Sequence, residues 1–138
     1  VAQMLSETLG VTVNLENQEW KTFLETRGNQ DFDMARGAWC GDYNEASTFL
    51  DLLTTQSGYN DGKYSNAEID ALMNEAKTLT DATVNYTRVE QIMADEMPVI
   101  PVYHYTNVYM MNENLRNWPV QNVEQNWYSR DLYIVEGE

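Results

Sequence analysis

Hydrophobic positions recur along this chain with two alternating periods. Val1, Met4, Leu5 and Leu9 form one helical stripe, and Gly10 supplies its stop. Val11, Val13 and Leu15 then alternate with Thr12 and Asn14, the spacing of a half-buried strand. Trp20, Phe23, Leu24 and Arg27 fall at i, i+3, i+4 and i+7 and predict a second helix, ended by Gly28. From Phe32 to Trp39 the pattern returns to strand. Strand, helix and strand at this spacing make a βαβ unit, whose strands are expected to be parallel and joined by a right-handed crossover.

Farther on, Phe49 to Leu53 reads as a short helix, and QSGYNDGKY as a loop with Asp61-Gly62 as its turn. Ser65 and Glu68 have capping-box spacing ahead of Ile69, Leu72, Met73, Ala76 and Leu79. A further helix starts near Thr80 or Asp81, carries Tyr86, Val89, Met93 and Met97 on one stripe, and must stop before Pro98. The two should form a helical hairpin. Val99 to Met111 is β-branched and aromatic and predicts a long strand, with Tyr103, Tyr105, Asn107 and Tyr109 on one face. Asn112 to Arg130 has little periodicity, and Leu132 to Val135 reads as a short strand. The fold class expected is α/β, mainly parallel sheet with flanking helices, in one domain over residues 1–138. VAQMLSETLG has neither an initiator Met nor a signal-peptide pattern and reads as a helix already under way, so the expectation is a chain that starts inside a larger protein.

Composition narrows the function classes. Eight basic against 22 acidic residues give a net charge of −14, which repels phosphate backbones and anionic headgroups and argues against nucleic acid or a membrane surface as partner. No run approaches the ~20 apolar residues of a membrane span. Cys40 is the only cysteine and His104 the only histidine, so an internal disulfide and a Cys- or His-rich metal site are both excluded. By itself Cys40 reads as a small buried hydrophobe.

Candidate chemistry concentrates in RGAWCGDYNE, at the carboxyl end of the second predicted strand, where α/β sheets place ligands. Gly37, Ala38 and Gly41 let another backbone come close. Trp39 offers an apolar wall, Asp42 and Glu45 negative charge, and Arg27 and Arg36 positive charge. That set suits a zwitterionic peptide laid along a strand edge. It suits equally a strand-to-loop junction that only turns and packs. Asp42 and Glu45 could also be a carboxylate pair for hydrolysis of peptides or sugars. An EF-hand, a phosphate loop and a GxSxG elbow are absent, and no cofactor is implied.

NLENQEWKTFLETR, FDMARGAWCGDYNEASTFL and VIPVYHYTNVYM, in this order and spacing, resemble the oligopeptide-binding proteins of bacterial ABC peptide importers, extracellular solute-binding proteins of family 5. The resemblance covers nearly the whole chain and is weakest from Asn112 to Tyr128. It implies a carboxy-terminal piece from the second lobe of a two-lobed periplasmic protein. That protein would capture short peptides without modifying them, and its partners would be the missing N-terminal lobe and a membrane permease. Residue by residue, it implies that Asp42 holds the peptide α-amino group and that the backbone from Gly37 through Ala38 to Cys40 pairs with the peptide main chain. Arg36 and Arg27 would assist with its carboxylate, and Trp39, Trp20 and Tyr105 would line side-chain pockets. It also implies an upstream disulfide partner for Cys40. Dipeptides, murein peptides and nickel chelates are alternative ligands on the same fold. A departure is Ala46, where the family often has proline.

Overall fold

A computed structural model describes residues 1–119, 122 and 126–135. The chain divides into two compact units, Val1–Gly37 and Ala38–Glu138.

In the first unit, α1 (Ala2–Leu9) ends as its sequence predicts. Gly10 takes φ 68°, a left-handed conformation that costs glycine nothing, and its N–H returns to Ser6 O. Helix α2 (Trp20–Asn29) is capped by Glu19, whose Oε2 accepts from the Lys21 and Thr22 amides at 2.9 and 3.3 Å. Contrary to expectation, α2 runs through Gly28 and stops at Gln30, which takes the left-handed turn at φ 64°. Gln30 N–H bonds Arg27 O, and Asp31 N–H bonds Thr26 O, so the last carbonyls are satisfied without glycine. No residue of this unit is buried.

The second unit holds the core. Helix α3 (Ser47–Leu50) continues into a 3-10 turn over Asp51–Leu53, as the short apolar run predicts. Helices α4 (Ala67–Ala76) and α5 (Thr83–Glu96) form the expected hairpin. Leu50, Ile69, Met73, Val89 and Ile92 pack together, with Tyr64, Leu72, Tyr86 and Met93 around them. The cap of α4 is Asn66 and not Ser65: its side chain accepts from Glu68 N and Ile69 N. Leu79 lies beyond the helix and is exposed. Helix α5 closes at Met97, φ 49°, immediately before Pro98. Two buried asparagines fasten the unit. Asn60 donates to Thr54 O and Tyr64 O while accepting from Tyr64 N–H, and Asn85 donates to Leu72 O and Glu75 Oε2. With these partners their burial leaves no amide unsatisfied.

The predicted parallel sheet is not formed among the described residues. Residues 11–15, 32–39 and 99–111 are assigned neither helix nor strand, and Val99 to Met111 is exposed throughout. A strand exists only beside another strand that accepts its ladder, and here none of the three has such a neighbour. The one sheet described is antiparallel: β1 (Leu115–Arg116) pairs with β2 (Tyr133–Ile134), Leu115 opposite Ile134 and Arg116 opposite Tyr133. β2 falls within the predicted Leu132–Val135 strand. β1 lies where periodicity gave no signal, a stretch whose residues 120, 121 and 123–125 are outside the described ones. No described helix is long and apolar enough to cross a membrane.

Candidate functional site

In the first unit, Trp20 and Arg27 line one stripe of α2 with Phe23 between them. The Trp20 and Phe23 ring centroids are 5.8 Å apart, and the Arg27 guanidinium lies 5.6 Å from the Phe23 centroid. Trp20 is 62 % exposed. Arg36 and Gly37, at the end of this unit, are both exposed, and a Cβ added to Gly37 would meet nothing within 4 Å.

The second unit opens with Ala38, Trp39, Cys40 and Asp42 in one irregular segment before α3. Ala38 is exposed. Trp39 is half-buried against Tyr59, ring centroids 4.7 Å apart, and its Nε1 is buried with no hydrogen-bond partner among the described residues. Cys40 is a free, exposed thiol, which corrects its reading as a buried hydrophobe. Gly41 lies close against α3: an added Cβ would stand 3.2 Å from Thr48 Cγ2 and 3.3 Å from the Phe49 ring, so both side chains would have to shift by a few tenths of an ångström. That closeness brings the backbone down onto α3, where Asp42 N–H donates to Thr48 Oγ1 at 3.0 Å. The Asp42 side chain is exposed, and among the described residues no donor reaches its carboxylate.

Glu45 is held differently. Tyr86 OH, from α5, donates to its Oε1, and Ser47 Oγ donates to its Oε2 at 3.0 Å. Ser47 has one hydrogen, so in the 3.0 Å contact between Tyr43 OH and Ser47 Oγ the tyrosine is the donor. The bond to Glu45, and then partial burial, hold the Tyr86 phenol above its ordinary pKa. Beside this network lies an open groove of about 440 Å³ lined by Glu45, Thr80, Asp81, Thr83, Tyr86 and Glu90. Periodicity marked Tyr86 only as core, and nothing in the local sequence of Ser47 or Thr48 announces their part in the loop.

Tyr105, the remaining predicted site residue, sits in the exposed 99–111 segment, 4.9 Å from the Tyr103 ring. Their contact at i, i+2 matches the shared face that alternation assigned them. A separate aromatic cluster joins Tyr109, Trp118 and Trp127. The described residues contain no group of three or more His, Cys, Asp or Glu able to hold a metal.

Residues 1–61 match the family described as bacterial extracellular solute-binding proteins, family 5 Middle. This chain belongs to that family. It is 40 % identical over 139 residues to the periplasmic murein peptide-binding protein MppA of Escherichia coli K12, covering 99 % of this chain and 26 % of the relative. To the periplasmic oligopeptide-binding protein OppA of the same organism it is 36 % identical, covering 98 % of this chain and 25 % of the relative. Among solved structures, Haemophilus influenzae OppA in complex with the peptide RPPGFSPFR is 34 % identical, with a TM-score of 0.83 over 98 % of this chain and 27 % of that one. The family-5 chain thus spans about a quarter of the length of the relatives it matches.

Proposed function

We propose that these residues are the carboxy-terminal piece of the substrate-binding component of a bacterial oligopeptide importer. The parent is periplasmic, hands short peptides to a membrane permease and does not modify them. Peptide capture belongs to a cleft between two lobes, with this chain contributing part of the second. Strands added by the rest of the parent would give 11–15, 32–39 and 99–111 the mainly parallel sheet they lack alone.

The observation that carries this reading is Asp42. An exposed carboxylate with no donor of its own, on a backbone pinned to Thr48, is poised to accept a peptide ammonium. Such a charge-assisted bond contributes about 1.5–3 kcal/mol. Arg27 and Arg36 would meet the other end of the peptide, Gly37 to Cys40 its main chain, and Trp20, Trp39 and Tyr105 its side chains. Glu45, with both oxygens engaged, suits a structural role better than that of a hydrolytic partner to Asp42. The similarity to MppA favours murein peptides as the second reading.

The test is calorimetry on the full-length parent. Asp42→Asn should weaken free-amine peptides by at least about tenfold and leave N-acetylated ones nearly unchanged. Equal losses for both would remove the assignment. The exposed thiol of Cys40 would be disulfide-bonded to a cysteine elsewhere in the exported parent. Full alkylation under denaturing, non-reducing conditions would count against that.

A further inference from the structure

The carboxylate of Asp42 has no hydrogen-bond donor of its own among the described residues, so its position is set by the backbone that carries it. That backbone is tied down at two points. Near the start, Asp42 N–H bonds Thr48 Oγ1 on α3. At the end, Glu45 is gripped on both oxygens, by Tyr86 from α5 and by Ser47 from α3, with Tyr43 donating to Ser47 behind it. Tyr86 packs on the hydrophobic core, and Ser47 and Thr48 are buried, so the grips reach rigid ground. Tyr86 is 41 residues from Glu45, so only the packing of α5 brings the two together.

We infer that Glu45 and Tyr86 are positioning residues for Asp42: a strut from α5 that holds the amine-binding carboxylate in place without touching the peptide. The inference rests on the reading of Asp42 as the amine anchor, and it assigns Glu45 the opposite of a ligand role. Its negative charge is dispensable, whereas its two hydrogen bonds are not. Glutamine at this position retains both. Its oxygen accepts from Tyr86, its amide donates to Ser47 Oγ, and the Ser47 hydrogen turns to Tyr43 OH.

The experiment compares Tyr86→Phe, Glu45→Ala, Glu45→Gln and Asp42→Asn in the full-length parent. Two measurements are made: binding of a free-amine tripeptide against its N-acetylated form, and hydrogen exchange of the Asp42 amide without ligand. Tyr86→Phe and Glu45→Ala should weaken the free-amine peptide about three- to tenfold and spare the acetylated one. Both should also speed exchange at Asp42, and Glu45→Gln should restore affinity and protection. If Glu45→Gln loses the free-amine preference as fully as Asp42→Asn, Glu45 is itself an anchor and the strut is wrong. Unchanged Asp42 exchange in both Tyr86→Phe and Glu45→Ala overturns it as well. Equal losses of affinity for both peptides in Asp42→Asn remove the anchor reading, and the positioning role with it, while the exchange data still report whether the strut holds the loop.

Discussion

Arg88 Nε donates to Glu68 Oε1 at 2.7 Å, joining α5 to the first turn of α4. Glu68 is therefore not the reciprocal half of a capping box. Asn66 caps the helix alone and turns its own amide to Glu96 Oε1. The same Glu96 accepts from Tyr64 OH through Oε2, so the start of α4 is bound to α5 at both of its acidic contacts.

The bond from Arg88 holds the Glu68 carboxyl below the ordinary glutamate value. A folded-state pKa lowered in this way contributes stability above the unfolded pKa and loses it as pH falls through the folded one. An NMR titration of the parent should show Glu68 protonating at lower pH than an unpaired glutamate, and Arg88→Gln should return it to the ordinary range. Both side chains are about half exposed, at 50 % and 52 %, so salt should shrink the shift. A salt-independent midpoint would contradict this.

Ile69 and Leu79 occupy the same predicted stripe but not the same environment, at 0 % and 44 % exposure. Ile69→Ala should cost about 2–5 kcal/mol in urea unfolding, because the cavity lies at the centre of the α4–α5 packing. Leu79→Ala should stay within about 0.5 kcal/mol. Similar losses at both positions would show that the core extends past the end of α4.

Gly41 and Gly37 look equivalent in the sequence and are not. Gly41→Ala forces a methyl against Thr48 and Phe49 and should cost about 1–3 kcal/mol. Gly37→Ala meets open space and should leave thermal unfolding unchanged. If Gly37 faces the peptide backbone, as proposed, its alanine variant will instead lose affinity, which calorimetry on the parent would detect.

The 138-residue chain by itself should bind peptides only at millimolar concentration or worse. A few solvent-exposed hydrogen bonds of about 0.5–1.5 kcal/mol each do not offset an association cost of at least about 4 kcal/mol. Val102, Tyr103, Tyr105 and Val108 are 55 % or more exposed on an unladdered segment, so the chain should also self-associate. Sedimentation velocity across a concentration series should reveal this, and Val102→Lys with Val108→Lys should suppress it. Submicromolar peptide binding by these residues alone would show that they hold the complete site.

Local signals determined a good part of this protein. Gly10 closes α1, Pro98 bounds α5, and the stripes through Ile69, Met73 and Val89 mark a hairpin, because helices bond within themselves and show their period in the chain. The same holds for the concentration of unusual residues from Gly37 to Glu45, which is a matter of composition. Tertiary structure decided what depends on partners distant in the chain. Ser65 and Asn66 are both able caps, and the packing of α5 against α4 accompanies the choice of Asn66. The predicted strands at 11–15, 32–39 and 99–111 need neighbouring backbones, and β-branched alternation cannot supply them. Only packing brings Tyr86 onto Glu45. A helix is written in neighbouring residues, whereas a strand and a strut exist only where distant parts of a polypeptide meet.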